Sequence, residues 1–134
     1  MVGGINMDLF IQAERFPLPG ETFEGESFFT GGGGKGANQA IAAAQLAGPD
    51  VVEMVGRVGD DAFGVDLLAN LNRYGVGTDP ILTVEGEASG IALIFIDGQH
   101  ENYVLPVYGA NATCGDGEVE RGRRLISSTS VLLM

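Results

Sequence analysis

The stretch from Phe28 to Gly48, FFTGGGGKGANQAIAAAQLAG, limits most sharply what this chain can become. A β-prone run, Phe28-Phe29-Thr30, meets four consecutive glycines and then Lys35-Gly36, after which helix formers continue unbroken to Gly48. The pattern predicts strand, tight glycine turn, then a helix over Gly36 to Ala47. Glycine lets a backbone approach a ligand closely, and the first amides of a helix have no intrahelical partner. Such a turn suits acceptor oxygens, whether of phosphate, sugar hydroxyl or carboxylate.

A Walker A loop needs Lys-Ser or Lys-Thr after its second glycine, and Ala37-Asn38 follows Gly36, so that loop is excluded. A dinucleotide fingerprint, G-x-G-x-x-G, is formally present at Gly31 to Gly36 with Glu53 as its ribose acid, but a run of glycines satisfies that spacing almost automatically. A third reading takes Gly33 to Ala40, G-G-K-G-A-N-Q-A, as one unit in which Asn38 shares the space of the glycine amides. The plain structural alternative is close packing around small residues.

With 134 residues, 45% of them hydrophobic, the chain has material for one core and no length for a second full domain. A net charge of −11 with only seven Lys and Arg disfavours nucleic acid and anionic membranes as partners. Cys114 and His100 are the sole residues of their kinds, which leaves neither a disulfide framework nor a Cys/His metal site. No apolar run approaches the roughly eighteen residues of a membrane span, and no basic-then-apolar leader precedes the first strand. These features predict a cytoplasmic protein. Both ends lie within strand-like runs, Met1 to Ile5 and Ser130 to Met134, so the chain is expected to be the N-terminal part of something longer.

In order, Val2 to Ile5 reads as a strand whose carboxyl end delivers Asn6-Met7-Asp8, a position where open α/β sheets meet ligands, although an Asx turn accounts for the same residues. Pro17-Leu18-Pro19-Gly20-Glu21 excludes helix and central strand. Val51 to Gly56 is the next strand. Asp60-Asp61 before a helix over Ala62 to Tyr74 reads as a cap with a first-turn acid in preference to a Mg²⁺ pair. Ser89 to Ile96 is apolar at both parities, and Asp97-Gly98 starts a hairpin returning through Tyr103-Val104-Leu105. Glu118 to Ile126 is a polar helix with Arg121, Arg123 and Arg124 on a solvated face.

Five motifs, taken together, give this chain a specific likeness: N-x-D at 6–8, P-x-P-G-E at 17–21, G-G-K-G-A-N-Q-A at 33–40, V-G-D-D-x-F-G at 58–64 and G-A-N at 109–111. In this order they resemble the ribokinase branch of the PfkB carbohydrate and nucleoside kinase family. The resemblance implies an α/β, ribokinase-like, Rossmann-type three-layer sandwich with a small β lid. Residues 1–134 would be the N-terminal part of a PfkB-type kinase domain, with lid segments at about 9–30 and 83–107 and the C-terminal nucleotide-binding part absent.

The same resemblance implies an ATP-dependent carbohydrate kinase acting on a sugar hydroxyl, ribose first, with fructokinase, nucleoside kinase and a non-catalytic sugar-binding or dimerising module as alternatives. It assigns substrate binding to Asn6, Asp8, Gly33, Gly34, Lys35 and Asn38; Asn111, in G-A-N, is read as a hinge or hydrogen-bond anchor and not as a ligand. ATP and Mg²⁺, and K⁺ as a further candidate, would be held mainly by residues downstream. It also implies a homodimer through the β lid. The catalytic base is expected downstream, so the chain alone is expected to be inactive; Asp116, in C-G-D-G, shares only the last two letters of the family's G-A-G-D and none of its context.

Overall fold

The computed structural model describes residues 1–134. In chain order the elements are β1 (Asn6–Gln12), β2 (Ser27–Gly33), α1 (Lys35–Ala47), β3 (Val52–Glu53), β4 (Gly56–Gly59), α2 (Ala62–Arg73), β5 (Val76–Gly77), β6 (Ile81–Val84), β7 (Gly90–Ile96), β8 (Asn102–Val107), a 3₁₀ turn at Gly109–Thr113 and α3 (Asp116–Ser128).

The strands fall into two groups. A four-stranded sheet has the order β2-β1-β7-β8, with β1 antiparallel to β2 and parallel to β7, and β8 antiparallel to β7. The second group is parallel: β3 pairs β5 and β4 pairs β6. Its other flank is the first residues of the chain, where Val2 bridges Val55 in parallel and Val55 donates to the Met1 carbonyl at 2.8 Å. Parallel neighbours require crossovers, and α1 and α2 supply them.

Apolar spacing explains how the helices sit. On α1 the predicted face of Ala37, Ile41 and Ala44 packs inward with Gly36 and Ala40, while Asn38, Ala42 and Gln45 are exposed. On α2 Leu67 and Leu71 are buried, with Phe63 and Leu68 packed against the core. Ile5, Met7, Met54, Val58 and Val76 complete that core from the strands. Burying each large side chain stabilises by about 1.5–3 kcal/mol, and the small residues of α1 let it approach closely. A Cβ on Gly36 would lie 2.8 Å from the Gly3 Cα.

The strand expected over Val51 to Gly56 is two short ones, Val52–Glu53 and Gly56–Gly59, and the strand-like run Ser130 to Met134 forms no strand. Two further differences bear on the site. The strand expected at Val2 to Ile5 is a single bridge, and regular pairing begins at Asn6, so Asn6 and Asp8 lie within β1 and not beyond its end. The glycine run is mostly strand as well. Gly31, Gly32 and Gly33 pair with Asp8, Met7 and Asn6, and the turn is Gly34 alone. Partnering by β1 outweighs glycine's poor strand propensity.

Local chemistry elsewhere follows the expected lines except that the first turn of α2 holds no acid, because Asp61 is the cap itself and Asp60 precedes it and accepts from the Gly86 amide. Asp61 caps α2, its Oδ1 accepting from the Gly64 amide at 2.8 Å. Asp97 closes the β7–β8 hairpin by accepting from the amides of Gln99 and Glu101 at 2.9 and 3.0 Å. The proline loop is folded around Glu21, which pairs with Arg15 at 2.7 Å and accepts from the Leu18 amide. The Arg15 hydrogen bond brings its carboxyl down to about 2. No helix is long and apolar enough to cross a membrane.

Candidate functional site

Side chains alternate along β1, so Asn6 and Asp8 point to the same face of the sheet. Opposite them, the antiparallel register sets Gly33 against Asn6 and Gly31 against Asp8. The Asp8 side chain leans diagonally over Gly33: a Cβ built there would lie 2.1 Å from Oδ2 and 2.6 Å from Oδ1. Only glycine leaves room for that carboxylate.

The next residue turns the chain into α1. Gly34 has φ of 92°, which L side chains rarely adopt, and a Cβ on it would meet the Gly4 carbonyl at 2.6 Å. The helix therefore starts directly beside the acid. The Gly4 carbonyl takes the Ala37 amide at 3.3 Å, and no side chain caps the helix start. Lys35 and Asn38, both exposed, are the first and fourth residues of the helix. Lys35 enters none of the chain's ion pairs.

Burial raises the Asp8 carboxyl above its ordinary value, with no hydrogen bond or nearby charge opposing the shift. A half-buried carboxylate without a partner, next to the positive end of a helix dipole, is arranged to accept hydrogen bonds from something outside the chain.

Asn6 is held from behind. Asn111 Nδ2 donates to Asn6 Oδ1 at 2.9 Å and to the Ile5 carbonyl at 2.9 Å, while its Oδ1 accepts from the Ile5 amide at 3.0 Å. The anchor role expected for Asn111 is thus present, 106 positions away from its partner in sequence. Sequence reading missed Gly90, where a Cβ would lie 2.1 Å from Asn111 Nδ2 and 2.6 Å from Asn6 Oδ1. A glycine opening an otherwise apolar strand was the available signal.

The other acids are engaged elsewhere. Asp60 accepts from the Gly86 amide at 3.0 Å, and Asp61 also accepts from the Ser89 hydroxyl at 2.6 Å and the Ser89 amide at 2.9 Å. Burial pushes the Asp61 carboxyl up, but the Ser89 and Gly64 hydrogen bonds more than offset it and leave it lowered. Asp116 opens α3, away from β1. A cavity of about 420 Å³ lies apart from the Asp8 cluster, between the start of the chain, α1, α3 and residues 130–133, and its lining is mainly apolar.

Comparison with known proteins gives the family and the fold. The pfkB family carbohydrate kinase pattern matches residues 1–133. The chain belongs to that family. It is 41% identical to the ribokinase of Schizosaccharomyces pombe, over the whole of this chain and 43% of that protein. A ribokinase structure from Giardia lamblia superposes with a TM-score of 0.88 at 33% identity, covering 96% of this chain and 41% of the other. Arabidopsis thaliana ribokinase complexed with ribose and ATP superposes at 0.76 with 35% identity, over 91% of this chain and 41% of that one. The pfkB fold of this chain is thus the ribokinase type. It spans about two fifths of the length of these relatives.

Proposed function

We propose that these residues form the sugar-binding part of a cytoplasmic ATP-dependent carbohydrate kinase that phosphorylates ribose. The observation that carries the reading is the unpartnered Asp8 carboxylate seated over Gly33 at the start of α1. Asp8 accepts from sugar hydroxyls, Asn6 assists it, and the backbone at Gly33 and Gly34 bounds the sugar closely. Lys35 and Asn38 reach it from the first turn of α1. The Arabidopsis relative, complexed with ribose and ATP, supports both substrates.

Phosphoryl transfer depends on positioning and on electrostatic stabilisation of the transferred group. This chain supplies positioning on the acceptor side: a charge-assisted grip that orients one hydroxyl. Asp60 and Asp61 already serve amides and a hydroxyl. As the family resemblance implies, ATP, Mg²⁺, any K⁺ and the catalytic base are assigned to a nucleotide-binding part further along the full-length protein.

The lid is the sheet β2-β1-β7-β8, and it pairs two copies into a homodimer. Register puts Phe10, Phe29, Ile94 and Val104 on one face, the face of Asp8. Phe10 and Phe29 stack at 4.6 Å, yet Phe29 and Val104 remain more than half exposed, an apolar surface suited to a second copy.

The test is ADP release with purified full-length protein, ATP and Mg²⁺, offered ribose, fructose or a nucleoside, with the 134-residue chain run alongside. Ribose-dependent turnover by the full-length protein and none by the chain alone is expected. Preference for fructose or a nucleoside would reassign the substrate, and turnover by the chain alone that vanishes in Asp116→Asn would move the catalytic base to Asp116.

A further inference from the structure

The hydrogen bonds around Asn111 have a polarity fixed by the backbone. The Ile5 N–H can only donate, so the Asn111 atom facing it is the oxygen. The other end of the Asn111 amide is then the nitrogen, whose two hydrogens are shared among three acceptors: the carbonyls of Ile5 and Tyr108 at 2.9 and 3.1 Å, and Asn6 Oδ1 at 2.9 Å. Asn6 must turn its oxygen toward Asn111, and its Nδ2 is left free. Asn6 therefore presents a donor on the face where Asp8 presents an acceptor.

We propose that Asn111 is a positioning residue that holds Asn6 as a hydrogen-bond donor to a sugar oxygen. The inference rests on the sugar-site reading above. The donor complements Asp8: a hydroxyl that donates to the carboxylate still has lone pairs, and the Asn6 amide is oriented to fill one on the same or a neighbouring hydroxyl. Without Asn111 the Asn6 amide is free to rotate by 180° and offer an oxygen, leaving two acceptors facing the sugar. Asn111 also binds Tyr108, directly after β8, and crosses over Gly90 at the start of β7. The donor state of Asn6 is thereby tied to the base of both lid strands.

Two variants in the full-length kinase separate this role from simple scaffolding. Asn6→Asp keeps an oxygen for Asn111 and removes the free donor, so the fold is retained while the ribose KM rises by about tenfold or more, the loss of one buried hydrogen bond. Asn111→Asp still accepts from Ile5 but cannot donate to Asn6, and it raises the ribose KM by a similar factor with the ATP KM unchanged. In an Asn6→Ala background Asn111→Asp adds little, because the residue through which it acts is gone.

Gly90→Ala, which intrudes on the same hydrogen bond, replaces Asn111→Asp if that variant does not fold. An unchanged ribose KM in Asn6→Asp, or effects of Asn6→Ala and Asn111→Asp that simply add, would overturn the proposal. Asp8→Ala is the control: if it too leaves ribose kinetics untouched, the sugar-site reading fails, whereas a large Asp8 effect with neutral Asn6→Asp defeats only the role of Asn111.

Discussion

The carboxylate of Asp8 occupies the space that any side chain at Gly33 would need, its Oδ2 only 2.1 Å from a Cβ built there. Glycine at 33 and acid at 8 are one device, formed by a diagonal contact across β1 and β2. Gly33→Ala must therefore push the carboxylate aside or shift β2. Displacing the free end of the Asp8 side chain should cost little stability, so the expected effect is a raised ribose KM with a nearly unchanged melting temperature. Thermal melting and steady-state kinetics on the same preparation check both.

On the proposed sugar-site reading, Asp8 trades stability for sugar binding. Burial raises its carboxyl above the ordinary value of 3.8, so the folded state binds the proton more tightly than the unfolded chain does. The sign follows: its contribution is most favourable below the unfolded value and is lost as pH rises through the raised one. Asp8→Asn should melt higher than wild type at pH 7 without sugar, the two curves converging as pH falls below about 3.8. Melting temperature against pH checks this.

The buried ion pair between Arg57 on β4 and Glu118 on α3 is the main polar link of α3 to the sheet. Glu118 is 2% exposed and also accepts from the Gly115 amide at 2.7 Å, while Arg57 reaches Thr113 Oγ1 at 2.6 Å. Burial pushes the Glu118 carboxyl up, yet the Gly115 and Arg57 hydrogen bonds leave it lowered. Glu118→Ala strands the guanidinium and should cost about 3–5 kcal/mol, with Glu118→Gln costing less. Urea unfolding of the two variants measures the difference.

The proposed dimer through the lid has a specific target. Phe95 is already covered by Phe16, ring centroids 3.9 Å apart, whereas Ile94 lies on the face of the half-exposed Phe29 and Val104. Ile94→Asp should shift the full-length protein from dimer to monomer in sedimentation. A wild type that is already monomeric at working concentration removes the idea.

What the sequence shows plainly is local. Asp61 capping α2, the Asp97 hairpin, and the buried faces of α1 and α2 each depend on residues a few positions apart, where spacing and chemistry coincide. The glycine run misleads because its strand character comes from β1, about 25 residues earlier by the register that pairs Met7 with Gly32. Glu118 reads as one acid among several on a polar helix, because the partner that buries it lies 61 positions away. For the site, N-x-D and the glycine unit name the residues, but their meeting across two strands, and the role of Gly90 behind Asn6, are consequences of pairing.

The most direct test of the sugar grip is the kinetics of Asp8→Ala in the full-length protein, with ribose and ATP varied separately. Loss of charge-assisted hydrogen bonds, with sugar donors left unpaired, should lower kcat/KM for ribose by ~2–4 kcal/mol while the KM for ATP stays unchanged. A folded Asp8→Ala protein with wild-type kcat/KM for ribose would contradict the account.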